Sequence, residues 1–490
     1  MMALDRRDGL FFTVIFFALL GRLLLSPPIW HHGEAREGLV VQGIVHNHEW
    51  ILPLRNGELP SKPPFFHWLA ALPAFVFGPI DLIVRLPSVM AAAIMAAATF
   101  FMGREMGGRS TGWLAAGALL GMQEFWVSGT QARVDMVFAA CVAVALAGFF
   151  FWYRDGHRAA RAACYIAAAC AVLAKGPVGL ILPAAAIVGF LAVEGRLRSL
   201  WTFWSWPLTA VLLLLDLGWY ALAYDTGGNE FLKLQIAVEN LDRFFGQGHF
   251  STDNTSLNTL TWLANQTLPW NLVLIWSLIR QIRGEREDWT GRFLHAWWIS
   301  IFLFFLFAAR SRAVYLLPMY PAIALLAARA IADRIPGLAE ASPIEPVEKT
   351  QSPWWRSGKI VKRVGIGIAI FDLTLMLLVK PTYWTNRKAR NARLAFIEDI
   401  RAIVATRKQF FSAPELQITE TLVISYRLGR EIVRKPLICA VRDDYFLLGS
   451  GSTNIPGVET QVLASSKSDG ISLVTVISAT PVRQDFACIR

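Results

Sequence analysis

Residues 136–153 read MVFAACVAVALAGFFFWY, a run without one charged side chain, closed on its far side by Arg154, Asp155, His157 and Arg158. A helix of that length rises about 27 Å, close to the ~30 Å hydrocarbon core of a bilayer. The run does not alternate polar with apolar residues, so it is not a barrel strand. Working outward, comparable runs lie at 10–25, 83–102, 111–127, 162–173, 178–193, 206–224, 262–279, 293–309, 313–330 and 364–379. Together they predict an all-α polytopic membrane protein with about eleven crossings, within a range of about 10–13 by the length rule. The stretch 65–77 is expected to be an interfacial or re-entrant helix, because counting it as a crossing inverts every later loop.

Composition agrees. The chain has 490 residues, 55% hydrophobic and 17% charged, with mean hydropathy +0.44, which excludes an ordinary soluble enzyme. The net charge of +11 is spread in clusters at the ends of apolar runs instead of forming one stripe, so it reports topology and not nucleic-acid binding. With the N-terminus inside, the inner loops hold roughly twice as many Lys and Arg as the outer ones. The first run follows Arg6 and Arg7 as in a signal peptide, but no small-residue cleavage site follows, and it is expected to stay as an uncleaved first helix. The five cysteines are scattered without a CxxC pair, which removes zinc fingers and thiol redox motifs; whether Cys439 and Cys488 pair is left open.

Two outer segments, 26–82 and 225–261, are longer than a simple bundle needs and read as working surface. Residues 336–353, rich in Pro, Glu and Ser, read as an inner linker, which leaves a membrane domain over 1–379. The tail 380–490 mixes an amphipathic helix over 392–406 with strand-like runs at 421–426 and 471–477. It is expected to form a small α/β domain, placed outside by parity. Two rival readings stand beside an enzyme. A lipid or sugar transporter needs midplane charges and a repeat, and only Asp216 lies deep inside a span. A structural assembly protein leaves the charged outer segments without a purpose.

The first outer segment carries His31-His32-Gly33-Glu34-Ala35-Arg36-Glu37, then Trp50-Ile51-Leu52-Pro53, then Ser61-Lys62-Pro63-Pro64. Further along come Ala132-Arg133-Val134-Asp135, Ala174-Lys175-Gly176-Pro177, and Arg310-Ser311-Arg312 ahead of Tyr315-Leu316-Leu317-Pro318. Their joint order at outer membrane boundaries resembles the bacterial members of the glycosyltransferase C superfamily, in particular lipid A aminoarabinose transferases and protein mannosyltransferase-like enzymes. The resemblance covers nearly the whole membrane region.

The resemblance implies a periplasmic-facing enzyme of the bacterial inner membrane that moves a sugar from a polyprenyl-phosphate donor to an outer-leaflet glycolipid such as lipid A, or to a protein hydroxyl. Such chemistry needs a carboxylate for the acceptor and cations for a phosphate leaving group. Glu34 matches the glutamate of the family's Asp-Glu-x-Arg motif, whose aspartate position is here Gly33, and Asp135 is the second carboxylate. Lys62, Lys175, Arg243, Arg310 and Arg312 are the donor-phosphate candidates; Arg36, Arg133 and Tyr315 are substrate-binding candidates. The bland readings are an Arg133–Asp135 ion pair capping a span, an Arg243 pair with Asp242 or Glu239, and arginines 310 and 312 reaching to lipid headgroups. Metal-using relatives place a glutamate directly before Lys-Pro-Pro, where this chain has Ser61. A divalent metal is left open, with His31, His32, His46, His48, His67 and His249 beside Glu34 as the available ligand types.

Overall fold

The computed structural model describes residues 6–246, 256–282, 288–333, 386–405, 410–413, 416, 418–435, 444–449, 458–466 and 471–479. Its helices run in the order α1 (Arg6–Leu24), α2 (His32–Asn47), α3 (Phe65–Phe77), α4 (Asp81–Gly107), α5 (Arg109–Leu120), α6 (Gln123–Gly129), α7 (Val134–Asp155), α8 (Arg158–Lys175), α9 (Val178–Val193), α10 (Ser199–Phe203), α11 (Trp206–Leu232), α12 (Arg243–Phe245), α13 (Ser256–Gln266), α14 (Trp270–Ile282), α15 (Trp289–Phe307), α16 (Tyr320–Ala332), α17 (Arg387–Ala405) and α18 (Ile418–Leu428). A π-helical stretch, Lys233–Asp242, follows α11, and a 3-10 turn, Ala313–Met319, leads into α16. The backbone divides into two compact units. One comprises residues 1–26, 61–69 and 85–379, the other 27–60, 70–84 and 380–490.

The first unit is a helical bundle. Among the described residues five helices are long and apolar enough to cross a membrane: Asp81–Gly107, Val134–Asp155, Trp206–Asp242, Trp289–Phe307 and Ala313–Ala332. Shorter apolar helices include Phe65–Phe77, Val178–Val193 and Trp270–Ile279. The bundle's outer surface is itself apolar, with Leu214 and Leu217 on α11 exposed, as lipid-facing positions should be. Inside, α7 and α8 approach so closely at Gly148 that an added Cβ would sit 2.7 Å from the Ala160 carbonyl oxygen. Next to that contact Phe149, Phe190 and Phe293 join α7, α9 and α15, with ring centroids 5.4 Å apart for Phe190 and Phe293.

Several predicted spans are interrupted. The run 262–279 breaks between α13 and α14 because Pro269 has no N–H for an interior helix turn, and Asn271 fills the gap by donating to the Ala264 carbonyl at 2.8 Å. The run 111–127 breaks at Gly121 and Met122, where Met122 turns extended and α6 begins. The run 313–330 starts as a 3-10 turn around Pro318. In 225–261, expected as a loop, the first part continues the helix of α11. The span at 364–379, the linker 336–353, Cys439 and Cys488 lie outside the described residues.

The second unit is built on a five-stranded sheet of order β2-β1-β3-β5-β4, formed by β1 (Phe411–Ser412), β2 (Val433–Arg434), β3 (Tyr445–Leu448), β4 (Val458–Ser465) and β5 (Ser472–Ala479). β1 pairs parallel with β2 and β3, while β5 pairs antiparallel with β3 and β4. The helix expected at 392–406 is present over its described part in α17, and all of 471–477 but Ile471 falls in β5. The strand expected at 421–426 is instead inside α18. Its apolar run is too short for periodicity to separate the two forms, and burial of Leu422, Val423, Ile424 and Tyr426 serves a helix closed by Gly429 in the left-handed region. Ile29, Ala35 and Leu39 share one core with Phe396, Ile400, Val423, Tyr426 and Leu473, so the first outer segment packs with the tail. Asp81 fixes that arrangement, accepting from the Tyr426 hydroxyl at 2.9 Å, the Ile29 N–H at 2.9 Å and Arg427 at 3.1 Å.

Candidate active site

Lys62 precedes Pro63 and Pro64, which hold the chain out of a helix until α3 begins at Phe65. Its Nζ donates to Glu239 Oε2 at 2.7 Å, with the two side chains 15% and 6% exposed. Glu239 stands on the π-helical stretch, beyond a break in α11 at Gly228, which adopts φ 58° and ψ −152°. π-helical turns are rare and concentrate at functional sites.

Asp135 lies in the first turn of α7 and Lys175 is the last residue of α8, so each sits at the helix end whose dipole favours its charge. Lys175 Nζ donates to Asp135 Oδ1 at 2.5 Å. The same ammonium lies 3.7 Å from the centre of the Tyr315 ring and 4.9 Å from that of Phe138, a cation held by one carboxylate and two π faces. Gly176 then ends α8 at φ +85°, a conformation that strains any residue with a Cβ. Arg133 and Lys62 both lie close enough to act electrostatically on Asp135. Arg133 does not form the capping pair with Asp135; its Nε donates to Gln131 Oε1 at 3.0 Å, and its backbone is tied to the Ser88 hydroxyl.

The first unit therefore gathers Lys62, Arg133, Asp135, Lys175 and Tyr315 from the sequence-derived set. It adds two carboxylates that the sequence reading did not place there. In the sequence Glu239 stands out only as a partner for Arg243. Glu124 on α6 accepts from the Ser128 hydroxyl at 2.6 Å and acts on the same charges, and its one sequence signal is an acid at the outer end of an apolar run. Arg310 and Arg312 flank the buried Ser311, whose hydroxyl lies 3.0 Å from that of Thr259. The Arg243 side chain lies outside what is described, as does His249.

Glu34 and Arg36 belong to the second unit. Glu34 is buried in the first turn of α2, behind the capping His31, whose Nδ1 accepts from the Gly33 N–H at 3.1 Å. Arg36 Nε donates to Glu37 at 2.8 Å. No group of three or more His, Cys, Asp and Glu among the described residues is placed to hold a metal ion.

Long apolar helices, with two lysines, an arginine and three acids at or near their ends, define a multi-pass membrane protein with a charged site at the helix ends. A sequence profile for the family described as Dolichyl-phosphate-mannose-protein mannosyltransferase matches residues 61–219, which include Lys62, Asp135 and Lys175. An undecaprenyl phosphate-alpha-4-amino-4-deoxy-L-arabinose arabinosyl transferase of Shewanella sediminis is 27% identical over 329 residues, 66% of this chain, and the match spans 58% of that relative's length. The chain thus spans a little over half of the curated relatives it matches. The crystal structure of ArnT from Cupriavidus metallidurans bound to undecaprenyl phosphate superposes with TM-score 0.72 at 17% identity, covering 97% of this chain and 98% of that one. The archaeal oligosaccharyltransferase AglB from Archaeoglobus fulgidus, in complex with an inhibitory peptide and a dolichol-phosphate, gives 0.56 at 12% identity, covering 90% and 70%. The likeness to both structures is one of fold. Together these matches relate the chain to the glycosyltransferase C superfamily of membrane proteins.

Proposed function

We propose that the chain is a glycosyltransferase that moves a sugar from a polyprenyl-phosphate donor to an outer-leaflet glycolipid such as lipid A, or to a protein hydroxyl. In the topology that goes with this reading, about eleven helices cross a bacterial inner membrane with the N-terminus inside. The working segments 26–82 and 225–261 and the domain 380–490 then face the periplasm. The observation that carries the proposal is the pair of largely buried lysines, Lys62 and Lys175, set with Arg133 around Asp135 at the ends of apolar helices.

Buried cations at the membrane boundary suit a phosphate whose lipid chain lies between helices. In the reaction the bond from the sugar's anomeric carbon to the phosphate oxygen breaks, and its electron pair leaves with the polyprenyl phosphate. The acceptor oxygen bonds to the same carbon, and its proton passes to a carboxylate. Lys62 and Lys175 stabilise the charge that develops on the leaving phosphate. Asp135, whose Oδ1 accepts from Lys175 Nζ at 2.5 Å, aims that ammonium. The resemblance, and not the geometry, carries Glu34 as the base, and Arg36, Arg243, Arg310 and Arg312 as further substrate contacts.

The test is transfer from a panel of polyprenyl-phosphate sugars to a lipid extract, using the full chain in nanodiscs. Wild type should transfer sugar, Lys62→Ala should lose transfer, and Glu34→Gln should slow it about a hundredfold, as for loss of an acid–base group. Folded wild type that transfers nothing from any donor would sink the proposal.

A further inference from the structure

Lys62 and Lys175, the two lysines proposed for the donor phosphate, each carry a carboxylate of the protein, but the two carboxylates are mounted differently. Asp135 sits on the first turn of α7, packed against α8. Glu239 sits on the π-helical stretch that follows the break at Gly228. On Lys62 a ligand phosphate and Glu239 want the same ammonium, and Glu239 is the partner whose backbone is not locked into a straight helix pair.

We propose that Glu239 is a specificity residue that favours the phosphodiester donor over the phosphomonoester product. The inference rests on the donor-phosphate reading of Lys62. A sugar-loaded polyprenyl phosphate is a diester with one negative charge. The product is a monoester with a second ionisation near pH 6, so it carries about −1.5 to −2 at pH 7. When phosphate displaces Glu239, the backbone of 233–242 still holds that carboxylate within a side chain's length of Lys62. Repulsion between Glu239 and the bound lipid then scales with the lipid's charge, and it weighs on the product more than on the donor. As product leaves, Glu239 returns to Lys62, which keeps the buried ammonium paired.

The experiment measures binding by tryptophan fluorescence in nanodiscs of the full chain, with undecaprenyl phosphate as the monoester probe and its methyl diester as the non-reacting donor probe. Wild type, Glu239→Gln, Glu239→Ala and Glu239→Asp are compared after their thermal midpoints show each is folded. In the two neutral variants Kd for the monoester should fall about tenfold more than Kd for the diester, the sign expected for loss of one nearby like charge. Glu239→Asp, which keeps the charge, should keep the wild-type ratio. Equal shifts for both lipids, no shift, or loss of the ratio in Glu239→Asp would overturn the inference while leaving Lys62 as a phosphate site. Wild type that binds neither lipid would overturn the donor-site reading and this inference with it.

Discussion

Changing Asp135 to Asn removes the carboxylate that Lys175 touches at 2.5 Å while keeping the shape of the side chain. For unit charges about 3 Å apart the attraction is on the order of 5 kcal/mol at an effective dielectric constant near 20. Desolvation of both groups offsets much of that, so the net worth of the pair is small. The cost of breaking it from one side is not small, because a charge is then left without its partner; such changes typically cost about 3–5 kcal/mol. Here the lower end applies, since Lys175 keeps the Tyr315 ring at 3.7 Å and Asp135 is 18% exposed. The assay is a double-mutant cycle on purified protein, with Asp135→Asn, Lys175→Met and the double variant followed by thermal unfolding in detergent. Each single change should lower stability by about 3 kcal/mol, and the double should be more stable than the sum of the singles by at least about 1 kcal/mol. Strict additivity would refute the ion pair as a coupled unit.

Two further changes probe the bundle away from the site. Asp288 caps α15 and accepts from the Gly291 N–H, the Thr290 hydroxyl and Arg329. Burial pushes its carboxyl upward, but the Arg329 charge and the two hydrogen bonds outweigh that and hold it below the usual carboxylate range. A depressed folded-state value gives stability that is present above the unfolded value of about 4 and is lost as pH falls further, so melting curves should drop below about pH 4 in wild type and flatten in Asp288→Asn. At Gly148, an alanine methyl would lie 2.8 Å from the Cys164 nitrogen and should cost about 1–3 kcal/mol by forcing α7 and α8 apart. Gly218→Ala on α11, where nothing lies within 4 Å, is the control and should be neutral or mildly stabilising in the same thermal assay.

Apolar length and the run of basic loops were enough to read a multi-pass helical chain, because the bilayer imposes both. Where helices break was less legible. Pro269 sits inside an apolar run, and only the capping of the freed Ala264 carbonyl by Asn271 shows that the run ends there. Residues 421–426 misled because a six-residue apolar stretch fits a strand or a helix face equally well, and tertiary packing against Ile29, Ala35 and Leu39 decides. Lys62 and Lys175 were visible because a lysine next to Pro or Gly at the edge of an apolar run stands out against hydrocarbon, and Asp135 because it opens the uncharged run 136–153. Their pairing was not visible. Arg133 is two residues from Asp135, yet Lys175, forty residues on, is the partner, since the joint of α7 and α8 and the turn at Gly176 bring that ammonium onto the start of α7.

The carboxylates that sequence reading left out follow from the same electrostatics that made the cations visible. Two lysines with side chains only 15% and 8% exposed cannot stand unbalanced, since an unpaired charge in that setting costs several kcal/mol. Asp135 and Glu239 meet that need from opposite kinds of backbone, one a helix start and one a π-helical stretch. A phosphate-binding site lined only by cations would hold its dianionic product too tightly to turn over. On the proposed reaction, acids within reach of the lysines would lower that affinity and leave enough positive charge for a monoanionic donor. Glu239 on Lys62 is thus what the proposed reaction would require of a site that takes a phosphodiester and lets go of a phosphomonoester.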